Sequence, residues 1–160
     1  MNYIFDTNIF IRSKNDMPAD IWPTFWTRIA ELIRDGKIHS SIKVKEEIDR
    51  GNDELTKWMK INADKNFYYQ IDSDVLVKYA EAQNWAKNNT IFKPIAINEF
   101  ANVADAYLVA TAAAKNLTLV TYEKSNPSCR NRVKIPDACI ALGVNFCDLN
   151  TALKQLNVTI

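Results

Sequence analysis

Residues 101–123 read ANVADAYLVATAAAKNLTLVTYE. Seven of the first fourteen letters are alanine, and the only charge among those fourteen is Asp105. Val103, Tyr107, Ala110 and Ala114 share one face at helical spacing, and Leu108 and Val109 extend the apolar surface. A helix that is apolar nearly all round is a buried helix. It runs directly into 117–122, LTLVTY, which has the β-branched and aromatic letters of a strand. A buried helix feeding a buried strand is the repeating unit of a parallel sheet with helical crossovers.

The rest of the chain repeats that alternation. Tyr3, Ile4 and Phe5 form a short β-type run before Asp6-Thr7-Asn8 and the apolar residues 9–11. Ile21, Phe25, Ile29 and Leu32 predict an amphipathic helix over 19–34, with Gly36 at its C-terminal end. Residues 37–40 read as a strand, and Ser41 is placed to cap a helix that Gly51 stops. Further helices are predicted over 53–63, 73–88 and 101–115. Weak strands are expected at 133–135 and 144–147, with short helices at 136–142 and 149–156. The segment 66–71 has no clear pattern. The expected fold class is a three-layer α/β/α sandwich around a small, mostly parallel sheet, with residues 1–160 as one domain.

Composition narrows the functional classes. The chain has 160 residues, 48% hydrophobic, enough to build a core without staples. The formal net charge of +1 excludes a wholly basic nucleic-acid binder but not a local basic patch. Cys129, Cys139 and Cys147 lack any C-x-x-C spacing, so they read as buried hydrophobes, not as a zinc site. The only glycines are Gly36, Gly51 and Gly143, so a glycine-rich phosphate loop has no raw material. The opening MNYIFDTN lacks the basic start of a signal peptide, and no run is long enough to span a membrane. A reducing, cytoplasmic setting is expected.

In parallel sheets, ligands sit beyond the carboxyl ends of the strands. Several acids fall there. Asp6 follows the first strand, and Glu123 ends the strongest one. Asp105 opens the buried helix that leads into that strand, and Asn102 is available to cap the helix in its place. Glu46 and Glu47 lie early in the helix after the second strand, with Glu47 nearer the face of Val44 and Ile48. Carboxylates gathered at close range need a counter-cation. An all-oxygen cluster suits Mg²⁺ or Mn²⁺, and such an ion supports phosphodiester hydrolysis. The lone His39, in a predicted strand, reads as structural. A phosphatase with Asp6 as nucleophile needs a second acid two residues on, where this chain has Asn8.

These motifs resemble the PIN domain, the nuclease fold of VapC-type toxins in toxin–antitoxin pairs. The resemblance rests on YIFDTNIFI, VKEEI, NVADAYLVATAAAKN and LTLVTYE, and covers nearly the whole chain. It implies an acidic metal centre on Asp6, Glu47, Asp105 and Glu123. Glu47 matches in preference to Glu46 because the family's acid directly precedes the apolar residue. Thr7 and Asn8 would orient Asp6 or the metal's water. The fourth acid of the family is usually Asp, and this chain has Glu123. Asp137, in the unusual segment that follows, is the alternative fourth carboxylate.

The resemblance also implies an RNA substrate, a cognate antitoxin and a homodimer. Lys124, Arg130, Arg132 and Lys134 form a stretch without acids that would contact RNA phosphates. The four tryptophans are read as packing residues on helices. The alternative function is a catalytically silent PIN-like binding or scaffold module.

Overall fold

The computed structural model describes residues 2–160. Tyr3–Phe5 forms β1, Thr7–Asp16 α1, Pro23–Arg34 α2, Ile38–Ser41 β2, Ile42–Gly51 α3, Glu54–Asn62 α4 and Tyr68–Tyr69 β3. Ser73–Asn88 is α5, Pro94–Asn102 α6, Ala104–Lys115 α7, Thr118–Val120 β4, Ile135–Leu142 α8, Phe146–Cys147 β5 and Leu149–Gln155 α9. The strands form one sheet in the order β3-β2-β1-β4-β5, and every pairing is parallel. This is the α/β sandwich that the alternating pattern predicts. No helix among the described residues is long and apolar enough to cross a membrane.

Local chemistry explains most boundaries. Ser41 accepts from the Lys43 amide as the cap of α3. Asp53 and Thr56 form a reciprocal capping box at the start of α4. Asp72 caps α5 through the Val75 amide. Tyr3, Ile4 and Phe5 of β1 are buried, as befits the central strand of a sheet covered on both faces. α7 is buried along Ala104, Ala106, Leu108, Val109, Ala110 and Ala112. It packs on α5, α8, α6 and α3, which explains its alanine content: small side chains let several helices approach closely.

Four boundaries depart from the sequence reading. Helix α2 starts at Pro23 and not at residue 19, because 18–22 close a turn in which the Trp22 amide donates to the Pro18 carbonyl at 2.8 Å. Ile21 is therefore exposed, not on the core face. Gly51 stays inside α3, and Asn52 ends that helix in the left-handed conformation at φ 44°. Residues 133–135 are not a strand: Val133 is buried in a loop and Ile135 opens α8, with Pro136 in its first turn. The expected helix over 101–115 is two helices. α6 ends at Asn102, and extended Val103 (φ −107°, ψ 172°) separates it from α7.

His39 lies in β2, as expected, and its Nε2 sits 3.2 Å from the Gly36 carbonyl. Cys139 is buried and Cys129 and Cys147 half-buried, all three free. Trp26 donates to the Met17 carbonyl and packs edge-on against Trp58. Trp85 packs against Phe92. Trp22 is exposed and precedes α2 instead of lying within a helix.

Candidate acidic centre

Asp6 owes its position to strand register. Phe5 pairs with Val120, and the Asp6 amide donates to the Val120 carbonyl at 3.0 Å. Asp6 and Thr121 therefore leave the sheet side by side. The Thr121 hydroxyl donates to Asp6 Oδ2 at 3.0 Å, and Asp6 is only 2% exposed. A buried carboxylate needs such donors or a cation. Burial pushes Asp6 up to about 6, aided by the charges of Glu123 and Glu47 and opposed by Thr121 and the Asn8 amide.

Asp105 stands in the first turn of α7, at the end nearest the carboxyl edge of the sheet. Burial pushes its carboxyl up to about 7; Asp6 and Glu123 push it further, while Arg132 pulls it back. The influence of Glu123 on Asp6, and of both on Asp105, is a consequence of the topology. β1 and β4 are neighbours, and α7 is the crossover that leads into β4.

Glu123 follows β4 directly after Thr121 and Tyr122. Its amide donates to the Thr121 hydroxyl at 3.1 Å, and its Oε1 accepts from the Ile135 amide at 3.4 Å. Glu123 thus links the end of β4 to the start of α8. The Thr121 hydroxyl bonds the Asp6 carboxylate and the Glu123 backbone amide, yet the sequence reading passes over it. Its only signal is the pairing register, which is not visible until β1 and β4 are aligned.

Glu47 adds its charge to the surroundings of Asp6 and Asp105. Its Oε2 accepts from the Thr7 hydroxyl at 2.9 Å, and its Oε1 accepts from the Ala104 amide at 2.9 Å. Glu47 therefore caps α7 from another helix. Asn102 does not serve as that cap: its side chain donates back to the Asn98 carbonyl. Glu46 points elsewhere, pairing with Lys43 at 3.6 Å. Thr7 holds Glu47, while Asn8 is exposed and reaches Asp6 through its backbone amide.

Asp137 is committed to the loop. Its carboxylate accepts from the Ser125 hydroxyl and, at 2.9 Å, from the Asn126 amide. It staples 125–126 to α8. Of the four loop cations, Arg132 alone turns onto the acids, with Nη2 3.4 Å from Asp105 and 3.5 Å from Glu123. Lys124 is exposed and influences Asp148, Arg130 is exposed, and Lys134 is half-buried at the cap position of α8.

The donor set is all oxygen, which is the chemistry a hard divalent ion selects. Burial first, and neighbouring carboxylates second, raise both Asp6 and Asp105. Among the described residues, however, no three His, Cys, Asp or Glu side chains are gathered tightly enough to form a ready ligand set. A separate cavity of about 910 Å³ is lined by residues that include Trp26, Trp58 and Ile61, and it shares none of the four acids.

A family model described as a domain of unknown function (DUF4411) matches residues 3–160. No curated protein matches this chain. Solved structures do. The VapBC2 structure from Rickettsia felis, bound to a DNA fragment from its promoter, matches with a TM-score of 0.60 at 16% identity, covering 92% of this chain and 98% of that chain. The FitAB structure, bound to an IR36 DNA fragment, matches with a TM-score of 0.55 at 20% identity, covering 91% of this chain and 94% of that one. At these identities the likeness is one of fold.

Proposed function

This chain belongs to the DUF4411 family and has a PIN-like fold, and from that premise we propose a divalent-metal-dependent endoribonuclease. The observation that carries the reading is the placement of Asp6, Asp105 and Glu123 at the carboxyl edge of β1 and β4, where the Glu123 charge raises the proton affinity of both aspartates and Asp6 raises that of Asp105. Buried acids perturbed by burial and by neighbouring charge mark a candidate functional site.

Asp6, Asp105 and Glu123 would hold Mg²⁺ or Mn²⁺, with Glu47 beside them. Such an ion, when bound, would supply Lewis-acid polarisation of a phosphoryl oxygen and lower the pKa of a water for attack on phosphorus. The chain's own residues do the rest. Thr121 fixes Asp6 by donating to its Oδ2, and the Asn8 amide also reaches that carboxylate. Thr7 and the Ala104 amide fix Glu47, so that acid also sets the entry of α7 and hence the position of Asp105. Lys124, Arg130, Arg132 and Lys134 supply positive charge to phosphates, which positions a nucleic-acid backbone without reading bases.

The structural neighbours are toxin–antitoxin complexes, which supports a toxin role with a cognate antitoxin as partner. A homodimer and a cytoplasmic site of action belong to the same proposal. The activity is tested by incubating the protein with mixed RNAs in Mn²⁺ or EDTA, beside Asp105→Asn. Cleavage that needs Mn²⁺ and is lost in the variant supports the reading. Equal cleavage by both proteins rejects it.

A second reading has its own observation. Both oxygens of Glu47 are bonded within the fold, and Arg132 neutralises part of the charge of Asp105 and Glu123. A catalytically silent binding or scaffold module would need these acids only for such internal bonds. It predicts no carboxylate-dependent Mn²⁺ binding.

A further inference from the structure

The segment between β4 and α8 has no helix or strand, yet it is tied down along its length. The Lys93 amide donates to the Arg130 carbonyl at 2.9 Å. Ser125 and Asn126 are bonded to Asp137, and Val133 is buried. Arg132 lies between the last two anchors, one residue before Val133. Its position is therefore set by the fold, not by the reach of a free side chain.

What the loop delivers is a guanidinium whose Nη2 touches Asp105 and Glu123 together. Glu99 of α6 adds a third negative charge in its surroundings. The two carboxylate side chains are 13% exposed while Arg132 is 41% exposed, so the cation covers the acids from the solvent side. Contacts of 3.4 and 3.5 Å from one nitrogen are not the paired, short bonds of a bidentate clamp. The arrangement neutralises the acids but grips them weakly.

We propose that Arg132 is a tethered counter-cation that a divalent ion must displace from Asp105 and Glu123. The proposal rests on the metal-centre reading above and adds its regulation. Metal affinity is held down by the loop, and metal entry frees the guanidinium. The freed group then stands beside the ion with no carboxylate partner, where an RNA phosphate is its natural anion. Metal binding thus precedes and enables phosphate binding. Without metal, Arg132 keeps the acid edge from being an uncompensated cluster that repels nucleic acid.

Calorimetric titration with Mn²⁺ of the wild type, Arg132→Gln and Arg132→Lys tests this, with Asp105→Asn as the control for site occupancy. Arg132→Gln is expected to bind Mn²⁺ about two- to fivefold more tightly, the scale of one part-exposed charge pair removed. Arg132→Lys should stay near the wild type, because it keeps the charge. Melting in EDTA gives a second readout: Arg132→Gln should lower Tm, and less so when Asp105→Asn is already present. Unchanged or weaker Mn²⁺ binding by Arg132→Gln, with wild-type binding that Asp105→Asn abolishes, overturns this proposal alone. If neither the wild type nor Arg132→Gln binds Mn²⁺, both the proposal and the metal-centre reading fall.

Discussion

The Ala104 amide donates to the Glu47 carboxylate at 2.9 Å across a separation of 57 residues. One side chain of α3 thereby caps α7, the helix whose first turn carries Asp105. A helix entry is usually capped by its own flanking residue. Here the flanking residue is Val103, which cannot do it, and the cap is borrowed from the acidic centre itself.

Glu47→Ala should therefore cost stability as well as function. Loss of a cap costs roughly 1–2 kcal/mol. Glu47→Gln keeps an oxygen for the Ala104 amide and should lose less. Urea unfolding of the three proteins in EDTA checks the order. Equal stability of wild type and Glu47→Ala would show that the cap carries no weight.

Thr121→Val removes a buried donor to Asp6 at nearly constant shape. It also removes the acceptor for the Glu123 amide. Leaving such groups without partners costs about 1–3 kcal/mol. The variant should unfold at lower urea and bind Mn²⁺ more weakly. Thr121→Ser, which keeps the hydroxyl, should recover most of both.

The metal-free protein should lose stability as pH rises. Asp6 and Asp105 are raised to about 6 and about 7, both above an unfolded value near ~3.9. Between about pH 4 and pH 7 the folded chain holds more protons than the unfolded chain. Their contribution is fully present below the unfolded value and fades as pH rises through the folded values. Unfolding in EDTA at pH 5 and pH 7.5 should show this fall, and Asp105→Asn should flatten it and raise Tm at pH 7.5. A wild type that gains stability over this window contradicts the assignment.

Asp137 serves the loop, bonding the Ser125 hydroxyl and the Asn126 amide. Asp137→Ala should release residues 124–132. Limited trypsin digestion should then cut faster after Lys124 and Arg130. Digestion at the wild-type rate would mean the loop is held by other contacts.

The sequence carried the architecture well because α7 and β4 are unusually uniform. A buried helix of alanines and a β-branched strand leave little choice of fold. Asp6, Asp105 and Glu123 stood out because each is a charge at the edge of an apolar run. The break at Val103 was not legible. Residues 94–115 hold two helices, and the cap that starts the second lies on α3, outside any local window. Thr121 was hidden for a similar reason, since its role depends on which residue of β1 lies beside it. Arg132 looked like one of four equivalent loop cations, and only the anchoring of the loop by Lys93, Asp137 and Val133 singles it out.

Everything proposed for this edge of the sheet depends on whether Asp6, Asp105 and Glu123 hold a divalent ion. A crystal grown with Mn²⁺ and measured at the manganese absorption edge tests it most directly. An anomalous peak is expected among these three carboxylates, with the Arg132 guanidinium moved off Asp105 and Glu123. A fully occupied Arg132 contact and no peak there, at millimolar Mn²⁺, would contradict it.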